Sequence, residues 1–126
     1  MKLTHVAVWT TRLEELRTFY EIYFDGKSGE KYVNPTKGFE SYFVRFGGGA
    51  SLEIMRSTTV TEKAENTLTG WCHIAFDAES REGVEALTEH LRQDGHRIVS
   101  EPRMTGDGYY ESVVADPDGN LVEIVA

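Results

Sequence analysis

Residues 3 to 9, Leu-Thr-His-Val-Ala-Val-Trp, are apolar and β-branched around a central His, which predicts a strand. Beyond Thr10-Thr11 the period changes. Leu13, Leu16, Phe19, Tyr20, Tyr23 and Phe24 recur at spacings of three and four, the stripe of an amphipathic helix. Thr11 followed by Glu14 has the form of a capping box at its start, and Asp25-Gly26 is a natural stop. Short strands are expected over 31–33, 39–46 and 50–56, punctuated by Asn34-Pro35, Lys37-Gly38 and Gly47-Gly48-Gly49. A polar stretch rich in Thr and Glu, 57–70, has neither period and reads as a connector.

The order of elements then recurs. Residues 71–77 predict a strand with a central His, and Val84, Leu87 and Leu91 mark a helix that begins near Ser80 and stops at Asp94-Gly95. Strands are expected over 97–99, 109–115 and 121–125. His5-Val6-Ala7 answers His73-Ile74-Ala75, 68 positions on, and Leu52-Glu53-Ile54 answers Val122-Glu123-Ile124, 70 positions on. Two nearly equal offsets across elements of the same type indicate a duplicated strand-helix-three-strand unit. The expectation is one α+β domain over 1–126, with module one over about 1–56, the connector over about 57–70 and module two over about 71–126.

Side chains at i and i+2 of a strand share a face. If Val6, Val8 and Ile74 pack under the helices, His5 and His73 point the other way. If Leu52, Ile54, Val122 and Ile124 are core, Glu53 and Glu123 are left on that same opposite face. A carboxylate amid an apolar strand is costly to desolvate unless paired or metal-bound. His5, Glu53, His73 and Glu123 are therefore expected to give two imidazole nitrogens and two carboxylates to one divalent ion, with Ni, Co, Zn, Fe and Mn all suited to that set. Positions left open for water or substrate would make the site catalytic in type. Trp9 and Met55 fall on the same face and would give the pocket apolar walls. Cys72 is expected in the core, and His90 and His96 at the surface. Asp116-Pro117-Asp118-Gly119-Asn120 reads as a hairpin turn that sets the register of Glu123 rather than as a cation loop. Gly106 and Gly108 lack the spacing of a phosphate loop and predict a flexible loop beside the cavity.

Composition narrows the partners. Of the 126 residues, 13 are Lys or Arg and 21 are Asp or Glu, for a net charge of −8, so binding to a phosphate backbone or an anionic membrane would be electrostatically unfavourable. Neither nucleic acid nor membrane is expected as a partner. No run approaches the roughly 20 apolar residues of a membrane span, no signal peptide is expected, and a single cysteine forms no internal disulfide. The cytoplasm is the expected compartment, and a small molecule the expected ligand.

The chain resembles the vicinal oxygen chelate superfamily (the glyoxalase/bleomycin resistance/dioxygenase family), most closely its glyoxalase I, or lactoylglutathione lyase, branch. The resemblance spans nearly the whole length. It rests on the opening strand with His5, the helix carrying Phe19-Tyr20, Leu52-Glu53-Ile54, the segment from Gly70 to Ala75, and the closing run from Asp116 to Ile124. It implies two tandem βαβββ modules forming a cupped mixed sheet around a metal, commonly completed across a homodimer; exposed strand edges argue for the same pairing. It also implies that His5, Glu53, His73 and Glu123 are the metal ligands, with Ni or Co preferred over Zn. Members with only two His and one Glu include extradiol dioxygenases and thiol transferases, which Glu53 disfavours. Bleomycin-resistance members sequester small molecules without a catalytic metal.

The implied reaction converts the hemithioacetal of methylglyoxal, or of a related 2-oxoaldehyde, and a thiol into a 2-hydroxyacyl thioester through an enediolate. A divalent ion would stabilise the developing charge, Glu123 would move the proton as base and acid, and Glu53 would be its counterpart. Glutathione or another thiol would be the cosubstrate. The pattern departs where such enzymes carry an Arg, an Asn and a Lys for glutathione's charged ends: those places hold Trp9, Ser57 and Thr105. Arg56, Arg103 and Lys63 are nearby cations that could substitute.

Overall fold

A computed structural model describes residues 3–62, 69–106 and 108–126. The chain divides into two compact units, Met1–Leu68 and Thr69–Ala126, at a point inside the polar connector. Lys63 lies outside the described residues.

The first unit begins with β1 (His5–Trp9) and α1 (Leu13–Tyr23), followed by β2 (Lys27–Ser28), β3 (Tyr32–Asn34), β4 (Phe39–Arg45) and β5 (Ser51–Ser57). Its sheet runs β1-β5-β4, with β2 and β3 both on the far side of β4. β2 pairs with Val44–Arg45 and β3 with 39–41, so two short pieces together make up the outer strand. β1 lies parallel to β5, and the other pairings are antiparallel. The helix stripe buries as its spacing predicts, with Leu13, Leu16, Phe19, Tyr20 and Phe24 at 8% exposure or less. Beneath it, Val44, Leu52 and Ile54 are at most 3% exposed. α1 packs on β4 and β5.

The second unit repeats this plan: β6 (His73–Asp77), α2 (Arg81–Gln93), β7 (Ile98–Met104), β8 (Tyr110–Ala115) and β9 (Leu121–Val125). The sheet order is β6-β9-β8-β7, and β6 is parallel to β9. Val84, Leu91, Val114, Val122 and Ile124 are fully buried between helix and sheet. The α+β class, two sheets each with one helix, agrees with the pattern of the sequence.

Local chemistry accounts for most element ends. Ser80 caps α2, its Oγ accepting from the Gly83 N–H at 3.1 Å, and Asp94 and Gly95 (φ 84°) close it. α1 stops at Phe24, with Asp25 at φ 52°. Gly26 is needed where the chain leaves the helix, because a Cβ there would stand 2.6 Å from Val44 Cγ1 and 2.7 Å from the Tyr20 carbonyl oxygen. The predicted capping box at Thr11 does not form. Arg12 is the N-cap with no side-chain cap bond, Thr10 Oγ1 accepts from the Arg12 N–H at 2.8 Å, and Glu14 turns to Tyr42 and Lys31 instead. Desolvation pushes the Glu14 carboxyl up, but hydrogen bonds from Lys31 and Tyr42 outweigh it and hold the group below its ordinary value.

Other boundaries shift for identifiable reasons. The outer strands β1 and β6 start two residues later than the apolar runs do, because pairing begins only at His5↔Ser51 and His73↔Leu121. Trp71 is consequently 97% exposed and Cys72 is exposed rather than in the core. β7 runs on through Pro102 to Met104; register shifts between Ile98 and Arg103 accommodate the proline, which a regular ladder would exclude.

The β8–β9 turn is tied by Asp116, which is only 4% exposed. Its Oδ1 accepts from the N–H groups of Asp118 (3.0 Å) and Asn120 (2.8 Å), and its Oδ2 from Asn120 Nδ2 (2.9 Å). Gly119, at φ 77°, supplies the left-handed turn residue, and Asn120 does not share that conformation. Asp116→Ala is expected to cost about 2–3 kcal/mol of unfolding free energy, because it strips three donors of a buried acceptor. Urea unfolding followed by circular dichroism measures this; a change within experimental error would show that the turn does not depend on the carboxylate.

Candidate metal centre

Both units place a His and a Glu at equivalent register. In the first, Ala7 is opposite Glu53 and His5 lies two residues earlier on the same face of β1. In the second, Ala75 is opposite Glu123 and His73 lies two residues earlier on β6. Alternation dictates this arrangement: with Leu52 and Ile54, or Val122 and Ile124, turned to the helix, the intervening carboxylate points to the helix-free face. The small side chains of Ala7 and Ala75 leave room beside each carboxylate.

His5 Nε2 is 3.8 Å from Glu53 Oε2, and His73 Nε2 is 3.2 Å from Glu123 Oε2. The imidazoles are 43% and 40% exposed and the carboxylates 16% and 19%, so each pair faces outward with its oxygens partly sheltered. Thr4 Oγ1 lies 3.1 Å from His5 Nδ1, which engages that side of the ring and leaves Nε2 turned toward Glu53. An imidazole nitrogen without its proton and a carboxylate oxygen are both electron-pair donors, so either a proton or a metal cation stands between them. Two ligands each about 2.1 Å from one ion and at right angles to each other stand roughly 3.0 Å apart. The pair in the second unit is close to that separation, and the pair in the first is wider, at 3.8 Å. The residues thus fit a divalent ion in donor type, and His73 with Glu123 fits one in spacing as well. Among the described residues no three His, Cys, Asp or Glu side chains form a group able to hold an ion; the donors come two to a unit.

The remaining candidates fall into place one by one. Trp9 and Met55 are register partners on the same face as Glu53, with Trp9 47% exposed. Ser57 is on that face as well, its hydroxyl 3.0 Å from Thr59 Oγ1. Thr105 is engaged in its own turn: it donates to the Tyr109 carbonyl (3.0 Å) and accepts from the Tyr109 N–H (3.1 Å). Arg56 alternates to the opposite face of β5 and pairs with Glu40 at 3.5 Å. Arg103, across β8 from Val125, shares the face of Glu123 and pairs with Glu111 at 3.7 Å. Arg103 is thus the described cation of the three that stands on the same face as a paired carboxylate. His90 is exposed beside Asp94, whereas His96 is half-buried rather than at the surface. Sequence reasoning missed Phe43, which is opposite Glu53 and packs edge-on to His5 at 5.3 Å, and Phe39 further along β4. The Phe-x-Ser-x-Phe alternation marks them as one face, but only the register shows which.

A parallel outer strand, a crossover helix and three antiparallel strands, built twice with a His–Glu pair in each copy, define a class of tandem βαβββ proteins. The family model for the Glyoxalase/Bleomycin resistance protein/Dioxygenase superfamily matches residues 2–124, and the chain belongs to that family. It is 29% identical over 127 residues to the uncharacterized protein YqjT of Bacillus subtilis, covering 97% of this chain and 96% of that one. Among solved structures, a V278E mutant of glyoxalase I from Zea mays superposes with a TM-score of 0.83 at 23% identity, over 98% of this chain but only 44% of the maize protein. The trypanothione-dependent glyoxalase I of Leishmania major superposes with a TM-score of 0.81 at 23% identity, over 99% of this chain and 86% of that one. At that identity the likeness establishes the fold. No described helix is long and apolar enough to cross a membrane.

If the His–Glu pairs exist for ligand binding rather than for folding, their removal leaves the metal-free fold intact. Glu53→Gln and His5→Ala are each expected to change unfolding free energy by no more than about 1 kcal/mol, the range of a partly exposed polar contact. Chemical denaturation of the chelator-treated protein tests this; a loss of several kcal/mol would assign the pair a structural role.

Proposed function

We propose that the protein is a metal-dependent lyase of the glyoxalase I type, acting on the hemithioacetal of a 2-oxoaldehyde and a thiol and releasing a 2-hydroxyacyl thioester. The observation that carries this reading is the recurrence of one His–Glu pair at the same register in both units. Four donors, His5, Glu53, His73 and Glu123, then serve one divalent ion, Ni or Co by preference and Zn, Fe or Mn as alternatives.

When bound, the ion supplies Lewis-acid stabilisation of negative charge developing on two adjacent substrate oxygens. The chain's own residues do the rest. His5 and His73 hold their Nε2 atoms toward the carboxylates. Glu123 takes the proton from the carbon bearing sulfur and oxygen and returns it to the neighbouring carbon, as base and then as acid. Glu53, set at the equivalent place in the other unit, faces the substrate from the opposite side. Val113, opposite Glu123 on β8, gives that carboxylate an apolar flank that limits competing exchange with water.

Protein purified without chelator is expected to carry about one equivalent of divalent metal per chain and to lose it to a chelator with its activity. Less than about a tenth of an equivalent, with no uptake on titration, would instead favour small-molecule sequestration. Mixed with methylglyoxal and a thiol, the metal-loaded protein should raise the absorbance of the thioester. Glu123→Gln is expected to lower that turnover by at least about 100-fold, and near-normal activity would remove Glu123 from its role.

A further inference from the structure

Beyond Glu53, the helix-free face of the first unit becomes aromatic. Phe39 packs against Trp9 at 6.1 Å, nearly perpendicular, and against Tyr32 at 6.0 Å, tilted by 58°. Tyr32 is opposite Ser41, which is opposite Met55, so the three rings stand on the face that carries Glu53. Trp9 is 47% and Tyr32 55% exposed. Large apolar rings left open side by side are unfavourable in water and mark a surface that something covers. Strand residues rise about 3.4 Å each, so Trp9 and Met55, two residues beyond Ala7 and Glu53, lie roughly 7 Å from the level of Glu53 and roughly 13 Å from that of His5 along the strands. A group of moderate size attached to atoms held at the pair reaches them.

We propose that Trp9, Phe39 and Tyr32 form a shelf that selects substrates bearing an uncharged planar or apolar group, and that Trp9 is its principal specificity determinant. The inference rests on the metal site proposed above and names the substrate class for it. Charge decides against an anionic tail. Trp9, Met55, Ser57, Phe39, Ser41 and Tyr32 carry no formal charge, and an anion laid on them would lose hydration without gaining a cation. Among the described residues, three basic groups near these strands are engaged by carboxylates: Arg56 on the other face with Glu40, Lys31 with Glu14 and Glu40 at 3.1 and 3.2 Å, and Arg12 with Glu15 at 3.1 Å. An aromatic ring, by contrast, stacks on Trp9 or meets its edge and covers surface that is otherwise wet. The small molecule is favoured over a second copy of the chain as occupant because the shelf is continuous with the metal-binding pair through Met55, the neighbour of Glu53 on that face of β5.

Two chelators with the same adjacent oxygens separate these ideas: benzohydroxamate, which carries a ring, and acetohydroxamate, which carries a methyl group. Calorimetric titration of the metal-loaded protein is expected to show benzohydroxamate binding about tenfold more tightly. Trp9→Ala should abolish that advantage and leave acetohydroxamate affinity unchanged, and Trp9→Phe should restore most of it. Equal affinities of the two compounds for the native protein would overturn the shelf while leaving the metal site standing. Failure of both to bind would overturn the metal site and the shelf with it. Sedimentation showing that Trp9→Ala turns a dimer into monomers would overturn the proposal in favour of a second copy as the occupant.

Discussion

Everything that distinguishes the two sheets follows from the period of two along β5 and β9. Leu52 with Ile54, and Val122 with Ile124, are at most 3% exposed under the helices. Burying each such side chain contributes about 1.5–3 kcal/mol, and slipping the register by one residue would exchange both for a carboxylate. The apolar neighbours therefore hold Glu53 and Glu123 on the opposite face more firmly than any contact the carboxylates make themselves. The parallel partners β1 and β6 are fixed in turn, since Ala7 and Ala75 must stand opposite the carboxylates for His5 and His73 to come within reach. Core packing thus positions the polar pairs.

The same logic explains what could be read from the chain in advance. Helix stripes, the Ser80 cap, the Asp116 turn and the alternation around Glu53 and Glu123 are local patterns, each set by neighbours within a few residues. β2 was not legible: Lys27-Ser28 has no alternation, and it is a strand only because Val44 and Arg45 offer a free edge. The length of β7 was hidden by Pro102, whose tolerance depends on a bulge at the outer edge of the sheet. Thr11 and Glu14 have the spacing of a capping box, yet Tyr42 and Lys31, distant in sequence, compete successfully for Glu14. At the site, the four donors were visible as types and spacings. Their aromatic surroundings were not, because which face Phe39 and Phe43 share depends on the β4–β5 register.

The duplication preserves the pair and varies what flanks it. Opposite the carboxylate stands Phe43 in the first unit and Val113 in the second. Phe43 is 40% exposed and lies edge-on to His5, beginning an aromatic face that runs on to Trp9 and Tyr32. The second unit has instead an ionic pair, Arg103 with Glu111, two positions along from Val113. The His–Glu pair is the same in both units, whereas the residues that flank it differ.

The strands that carry the carboxylates are also delivered differently. β9 enters through the Asp116 turn, where one buried carboxylate fixes three donors within four residues of chain. β5 enters through Gly47-Gly48-Gly49, where nothing stands within 4 Å of where a side chain would begin. Glu53 consequently takes its position from pairing with β1 and β4 alone, while Glu123 is referenced both to its neighbours and to its turn. Proton transfer is intolerant of misplacement, since a shift of about 1 Å in a reacting group can cost two orders of magnitude in rate. On the proposed reading it is the more tightly referenced of the two carboxylates, Glu123, that moves the proton, so the difference in delivery agrees with that proposal.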